Sequence, residues 1–254
     1  MNYHISSLQH PLVKHLVKLR QRKSYRYEQQ AILIEGIKPV AEICQHTSAK
    51  MIMTYDRNLL PENIQTDKLL VVPEDILKKI SGMVHSEGVL AEFLMPAQSD
   101  LKTMSPLLVL DGINDPGNLG TLLRTALALG WQGVFIVGEG CDLYNEKTLR
   151  AARGAHFRLP LRQGSWPELK ALADRNHLMP LLADLEGASP QDLNMDNKIL
   201  LILSNEARGP SNEAMEWCQR VTIPISGKME SLNVSAAGAI LMYLLQQQGK
   251  TYGS

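Results

Sequence analysis

No run in this sequence approaches the roughly 20 apolar residues that a membrane-spanning helix needs. No apolar core follows the first charges as it does in a secretory leader. Cysteine is scarce. Cys44, Cys141 and Cys218 lie far apart, and an odd number without metal-ligand spacing points to reduced thiols in a cytoplasmic protein. Net charge is missing too: 26 basic residues balance 26 acidic ones, so no global field announces a nucleic-acid partner and any such surface must be local. Several chemistries are absent by motif. There is no G-x-x-x-x-G-K-[ST] phosphate loop and no G-x-G-x-x-G fingerprint; Val137-Gly-Glu-Gly140 has two of those glycines and lacks the third. No H-E-x-x-H, no paired-cysteine site and no G-x-S-x-G elbow occurs, and the seven histidines are scattered, so no metal site is expected.

What is present is an alternation of short strands and helices. The chain begins with a basic segment: residues 1–27 hold six Lys or Arg and no acid. Leu12, Leu16 and Leu19, widened by Val13 and Val17, predict a helix over 6–28. Lys14, Lys18, Arg22 and Lys23, with Arg20 and Arg26, decorate the rest, and Tyr25 and Tyr27 follow. This reads equally as a solvated amphipathic helix and as a phosphate-contacting arm whose aromatic rings stack on bases. Strand candidates at 31–34, 51–54, 69–72 and 89–94, with helices at 37–45 and 73–80, make a small α/β domain over 1–94. Residues 95–106, with two prolines, read as a linker. Residues 107–254 then alternate strands (107–110, 134–137, 157–161, 178–183, 198–203, 221–225) with helices (118–129, 146–153, 167–175, 234–248). This pattern predicts a mostly parallel sheet covered on both faces.

In such sheets ligands collect at loops beyond the carboxyl ends of strands. Three loops here are rich in glycine and polar residues. The first, residues 111–120, runs into a helix that Asn118 is placed to cap, with Arg124 on its Thr121/Arg124/Thr125/Ala128 face. The second, 203–211, sets Glu206 and Arg208 among small residues. The third, 224–237, offers Ser231 or Asn233 as a cap for the last helix. Each alone reads equally as turn and capping chemistry. Lys147, Arg150 and Arg153 recur every three residues along a helix, either a solvated basic face or a second phosphate-contacting patch.

DPGNLGTLLRTA (115–126), LILSNEARGPS (201–211) and IPISGKMESLNVSAA (223–237), with YNEKTLRAARGAHFRLP (144–160) between them, resemble in order and spacing the SpoU/TrmH family of RNA ribose 2′-O-methyltransferases of the SPOUT superfamily. The N-terminal ISSLQHPLVKHLVKL…ILIEG resembles that family's small RNA-binding domain, which is similar to certain ribosomal proteins. The resemblance covers almost the whole chain. It implies an α/β fold with a C-terminal parallel-sheet SPOUT domain tied in a deep trefoil knot, a homodimer, and S-adenosylmethionine as cofactor. It implies a catalytic set of Arg124, Asn118, Glu206, Ser231 and Asn233, and cofactor contacts at Ser204, Gly209, Ile223 and Leu232, made by main-chain groups. Ser204 departs from the glycine that many members carry, a change that a backbone contact tolerates. Lys14, Lys18, Arg22, Lys23, Lys147 and Arg150 are the candidate RNA contacts.

A sulfonium methyl is already electrophilic, so this chemistry needs no metal; the difficulty is the ribose hydroxyl, a poor nucleophile whose proton must leave. A guanidinium is a poor base, so Arg124 reads as stabiliser of the developing oxyanion or holder of the adjacent phosphate, with Glu206 orienting it; a base role would require burial to remove its charge. A separate N-terminal domain favours 23S ribosomal RNA over transfer RNA. Two rivals of other classes are a non-catalytic RNA binder on this scaffold and a nucleotide-dependent oxidoreductase.

Overall fold

The computed structural model describes residue 5 and residues 7–83, 86–193 and 198–248. They divide into two compact units, Met1–Pro96 with Asp142–Arg158, and Ala97–Cys141 with Leu159–Ser254.

The first unit opens with Pro11–Gln21 (α1) and Lys23–Gln29 (α2). The single helix expected over 6–28 is broken at Arg22, whose backbone is extended (φ −116°, ψ 114°). Arg26 explains the break. It is buried rather than solvent-facing, and donates to the carbonyls of Leu19 (2.6 Å) and Arg20 (2.8 Å), acceptors that the end of α1 leaves unpaired. Its charge is met by Asp142. Then follow Ala31–Glu35 (β1), Ile37–Cys44 (α3), Met51–Thr54 (β2), Leu69–Val71 (β3), Glu74–Ser81 (α4) and Val89–Leu94 (β4). The sheet order is β1-β4-β2-β3, antiparallel except for β2 with β3. Val13, Leu16 and Leu19 of α1 join Ile76, Leu77 and Ile80 of α4 in one core, as the helical spacing of the leucines requires.

The second unit holds Leu107–Asp111 (β5), Pro116–Ala128 (α5) and Gly133–Val137 (β6). The chain then contributes Glu146–Ala152 (α6) to the first unit. It returns with Leu161–Gln163 (β7), Trp166–Asn176 (α7), Met179–Ala188 (β8), Ile199–Ser204 (β9), Asn212–Trp217 (α8), Gln219–Val221 (β10) and Val234–Gln248 (α9). All neighbours in the six-stranded order β10-β8-β9-β5-β6-β7 are parallel. Two expected strands are displaced. The one predicted at 157–161 lies at Leu161–Gln163, because Arg153 and Gly154 turn left-handed and Ala155–Phe157 coils as a short 3-10 helix. The one predicted at 221–225 ends at Val221, before Pro224, which has no N–H to give a ladder.

The structure also draws the boundaries differently. The pattern places 142–158 inside the domain 107–254, whereas this segment packs with N-terminal residues. Gly154 lies so close to Ile43 that an added Cβ would stand 2.9 Å from Cγ1, and Phe157 meets Phe93 edge-on at 5.2 Å. The residues expected as a linker, 95–106, are fastened from Ala97 onward to the second unit. Leu101 is fully buried, its carbonyl accepts from the Asn176 side chain (2.9 Å), and Ser99 N donates to Leu161 O (2.8 Å).

His156 is buried against the Tyr144 ring, with Nε2 2.9 Å from the Leu143 carbonyl. Burial pulls its pKa from 6.5 to about 4, against the opposing pull of that hydrogen bond and of Asp142. The unfolded chain therefore takes up this proton first as pH falls, and the native state loses stability from about pH 6.5 down to about pH 4. Between about pH 7 and about pH 5 this group alone is expected to cost about 2 kcal/mol. Urea unfolding at a series of pH values checks it: His156→Phe should flatten the slope, and an unchanged slope would exclude His156 as its source.

Candidate active site

In the second unit the chain runs from β5 outward through β6 and β7 and then crosses to β8, β9 and β10, so the switch of direction lies between β5 and β9. Their carboxyl ends are level, with Asp111 paired to Ser204. Loops leaving adjacent strands at such a point open a crevice.

The first of these loops is tightened by Asp115, whose carboxylate accepts from Asn118 N (2.7 Å) and caps α5 ahead of Pro116 in its first turn. Asn118, expected as the cap, sits inside the first turn instead, because Asp115-Pro116 is the stronger start. Its side chain is free for other work. The Asn118 amide donates to the Glu206 carboxylate. Its oxygen accepts from Asn233 Nδ2 at 3.1 Å. Asn233 in turn caps α9, its oxygen accepting from Ser235 N (2.9 Å) and Ser235 Oγ (2.6 Å). One relay, Glu206–Asn118–Asn233, thus joins all three loops.

Two residues without a role in the sequence reading hold the loops in place. Asn205 is buried, donates from Nδ2 to Gly112 O (2.8 Å) and accepts from the backbone N–H of Ala207 (2.8 Å) and Arg208 (3.0 Å). Asp111, also buried, accepts from Ser211 N (3.1 Å). Their signal in the sequence is a polar residue closing an apolar strand, in LLVLD and in ILLILS followed by Asn. Gly209 takes the left-handed φ of 71° that closes this loop. Gly238 lets α9 approach, since a Cβ there would stand 2.5 Å from Leu203 and 2.6 Å from Leu122.

Beside the relay opens a cleft of about 360 Å³. Leu203, Val221, Ile223, Ile225 and Leu232 supply apolar walls, and Asp184, Glu206 and Glu230 supply carboxylates; no Lys or Arg among the described residues lines it. Ser204, Gly209, Ile223 and Leu232 all line this cleft, and so does Ser231. The Ser204 hydroxyl is buried and has no hydrogen-bond partner among the described residues.

Arg124 stands apart. It is exposed on α5, on the same outer face as Thr121 and Ala128, and is not among the residues lining the cleft. Glu206, expected to orient Arg124, is bonded to Asn118 instead. Lys14, Lys18, Arg22, Lys23, Lys147 and Arg150 are all exposed and all belong to the first unit. The rings of Tyr25 and Tyr27 are engaged within that unit. The Tyr25 hydroxyl lies 2.9 Å from His15 Nδ1, and Tyr27 packs edge-on against Tyr144 at 6.1 Å.

An all-parallel sheet whose switch-point loops enclose a cleft, accompanied by a small basic unit, defines an α/β ligand-binding domain joined to an accessory domain. Residues 105–243 match the SpoU rRNA Methylase family, and residues 10–91 match the MRM3-like substrate binding domain. Over 250 residues the chain is 33% identical to the 23S rRNA (guanosine(2553)-2′-O)-methyltransferase RlmP of Bacillus subtilis, covering 95% of this chain and 98% of the relative. Among solved structures it is similar to the AdoMet-bound rRNA methyltransferase of Sinorhizobium meliloti (25% identity, TM-score 0.85, 96% of this chain and 97% of that one). It is also similar to the SpoU methyltransferase AviRb of Streptomyces viridochromogenes (25% identity, TM-score 0.82, 94% and 97%). The chain belongs to the SpoU rRNA methylase family.

Proposed function

We propose that this chain transfers the methyl group of S-adenosylmethionine to a ribose 2′-hydroxyl of 23S ribosomal RNA, acting in the cytoplasm as a homodimer whose catalytic domain carries the family's trefoil knot. The observation that carries this reading is the Glu206–Asn118–Asn233 relay at the cleft. A capping residue that also bonds a second loop does more than a cap requires.

The cleft fits the cofactor. Its apolar walls suit an adenine ring, the orphaned Ser204 hydroxyl offers a hydrogen bond, and its carboxylates, unopposed by a cation among the described lining residues, complement a sulfonium. When bound, S-adenosylmethionine supplies an electrophilic methyl group. The remaining work belongs to the chain. The relay holds the loops rigid, so that acceptor oxygen, methyl carbon and sulfur are kept in line, a positioning effect worth up to about 7–11 kcal/mol. Arg124, exposed on α5, meets the developing oxyanion or the neighbouring phosphate, since a guanidinium is a poor base. In the proposed two-fold pair Arg124, which does not line its own chain's cleft, serves the partner's site, and the pair has two sites. Exposed Ile240 and Tyr243 on α9, which packs against α5, favour such a pairing face. The basic residues of the first unit hold the RNA through its phosphates.

Comparing 2′-O-methyl maps of ribosomal and transfer RNA with and without the gene tests the substrate. One site lost from 23S rRNA supports the proposal; a site lost from transfer RNA instead overturns the substrate, and no lost site overturns the activity.

A further inference from the structure

The first unit contains a second pocket, of about 200 Å³, with an unusual mixture of charges. Arg20 of α1, Lys38 of α3, and Arg150 and Arg153 from the α6 segment converge on it. So do Glu35 at the end of β1, Glu87, and Glu146 of α6. Two of the cations are only loosely paired. Arg20 Nε is buried with no hydrogen-bond partner among the described residues, and its ion pair with Glu146 Oε2 is long, at 3.9 Å. Arg150 is equally loose, with one nitrogen 4.0 Å from Glu146 and another 3.4 Å from the Met83 sulfur. Glu35, by contrast, is held in place, its Oε1 accepting from the buried Ser81 hydroxyl at 2.6 Å.

A phosphate would meet three carboxylates beside the four cations, which leaves it little net attraction. An uncharged flat ring presenting both donors and acceptors would be well served. Leu33, Leu90 and Leu149 give such a ring an apolar surface to lie against. A fixed carboxylate accepts two hydrogen bonds side by side, and among the RNA bases guanine alone offers the matching pair, N1–H and the 2-amino group. Guanidinium groups donate to guanine O6 and N7, the commonest base contact of arginine. Bases reach such pockets only when unpaired. We propose that this pocket captures one unpaired guanine of the RNA, with Glu35 reading its N1–H and 2-amino edge and Arg20 and Arg150 its acceptors. The inference rests on the reading of this chain as an RNA methyltransferase and adds a base-specific subsite to it.

The test uses the full chain and fluorescent single-stranded oligouridines carrying one central guanosine, adenosine or inosine. Guanosine should bind at least about tenfold tighter than either of the others, inosine failing for want of the 2-amino group. Glu35→Gln should erase the preference while leaving affinity for plain oligouridine and, by calorimetry, for S-adenosylmethionine unchanged. Arg150→Leu, at an exposed helix position, should erase it too and covers the case in which Glu35→Gln fails to fold. Equal affinity for the three oligonucleotides, a preference that survives both substitutions, or its abolition by inorganic phosphate alone would overturn the proposal. A chain that binds oligonucleotide and cofactor without base preference loses only this pocket; one that binds neither loses the functional reading itself.

Discussion

Arg124→Ala should lower methyl transfer by at least about a thousandfold, the upper range for loss of one preorganised oxyanion donor. It should leave affinity for S-adenosylmethionine within about twofold, since a lost transition-state contact need not touch ground-state binding. The expectation follows from where the side chain sits. Leu119, Leu122, Leu123 and Ala126 are buried on one side of α5 and leave Arg124 on the other, outside the cleft. An exposed side chain with no ion pair among the described residues adds little to folding, so the variant should melt as the parent does. Single-turnover transfer and calorimetry with cofactor alone separate the two effects. Loss of cofactor binding, with transfer retained at saturating cofactor, would remove Arg124 from the reaction and place it in the cleft.

Asn233→Asp should melt within a few degrees of the parent yet lose at least about tenfold in rate, equivalent to 1.4 kcal/mol of transition-state stabilisation. The substitution keeps the oxygen that accepts from Ser235 N and Ser235 Oγ, and a negative charge at a helix N-terminus adds a few tenths of a kcal/mol, so the cap survives. What changes is the other end. Asn233 Nδ2 donates to Asn118 Oδ1, and a carboxylate has no proton to give there. Two acceptors would face each other about 3 Å apart, on an amide already bonded to the Glu206 carboxylate. The loops would separate or Asn118 would turn and release Glu206, and either loosens the site. Thermal melting with steady-state kinetics checks both halves. A variant with the parent's rate would leave capping as the only role of Asn233.

Much of this was legible in the sequence because it is local. The apolar runs at 107–110 and 198–203 form β5 and β9, and the polar loops that follow them meet at one end of the sheet. The cap of α5 shows the limit of local reading. Asn118 and Asp115 are both good capping residues, and Pro116 decides between them by fixing the first turn one residue after Asp115. Less legible was everything that depends on which strands become neighbours. The bond from Asn205 to Gly112 and that from Ser211 to Asp111 each span about a hundred residues and exist only because β9 lies beside β5. The segment Asp142–Arg158 reads in sequence only as a basic helix over 146–153 followed by a strand. Nothing in its periodicity tells which sheet covers it, and contacts to Ile43 and Phe93 assign it to the first unit.

Incubation of the purified chain with S-adenosylmethionine labelled on the methyl group, and with 23S rRNA from cells lacking the gene, tests the central claim most directly. Label is expected in the 23S rRNA, recovered after nuclease digestion as one 2′-O-methylated nucleoside, and none in transfer RNA or in rRNA from cells that carry the gene. Label on a base, label in transfer RNA alone, or no transfer by a chain that binds both cofactor and rRNA would contradict it.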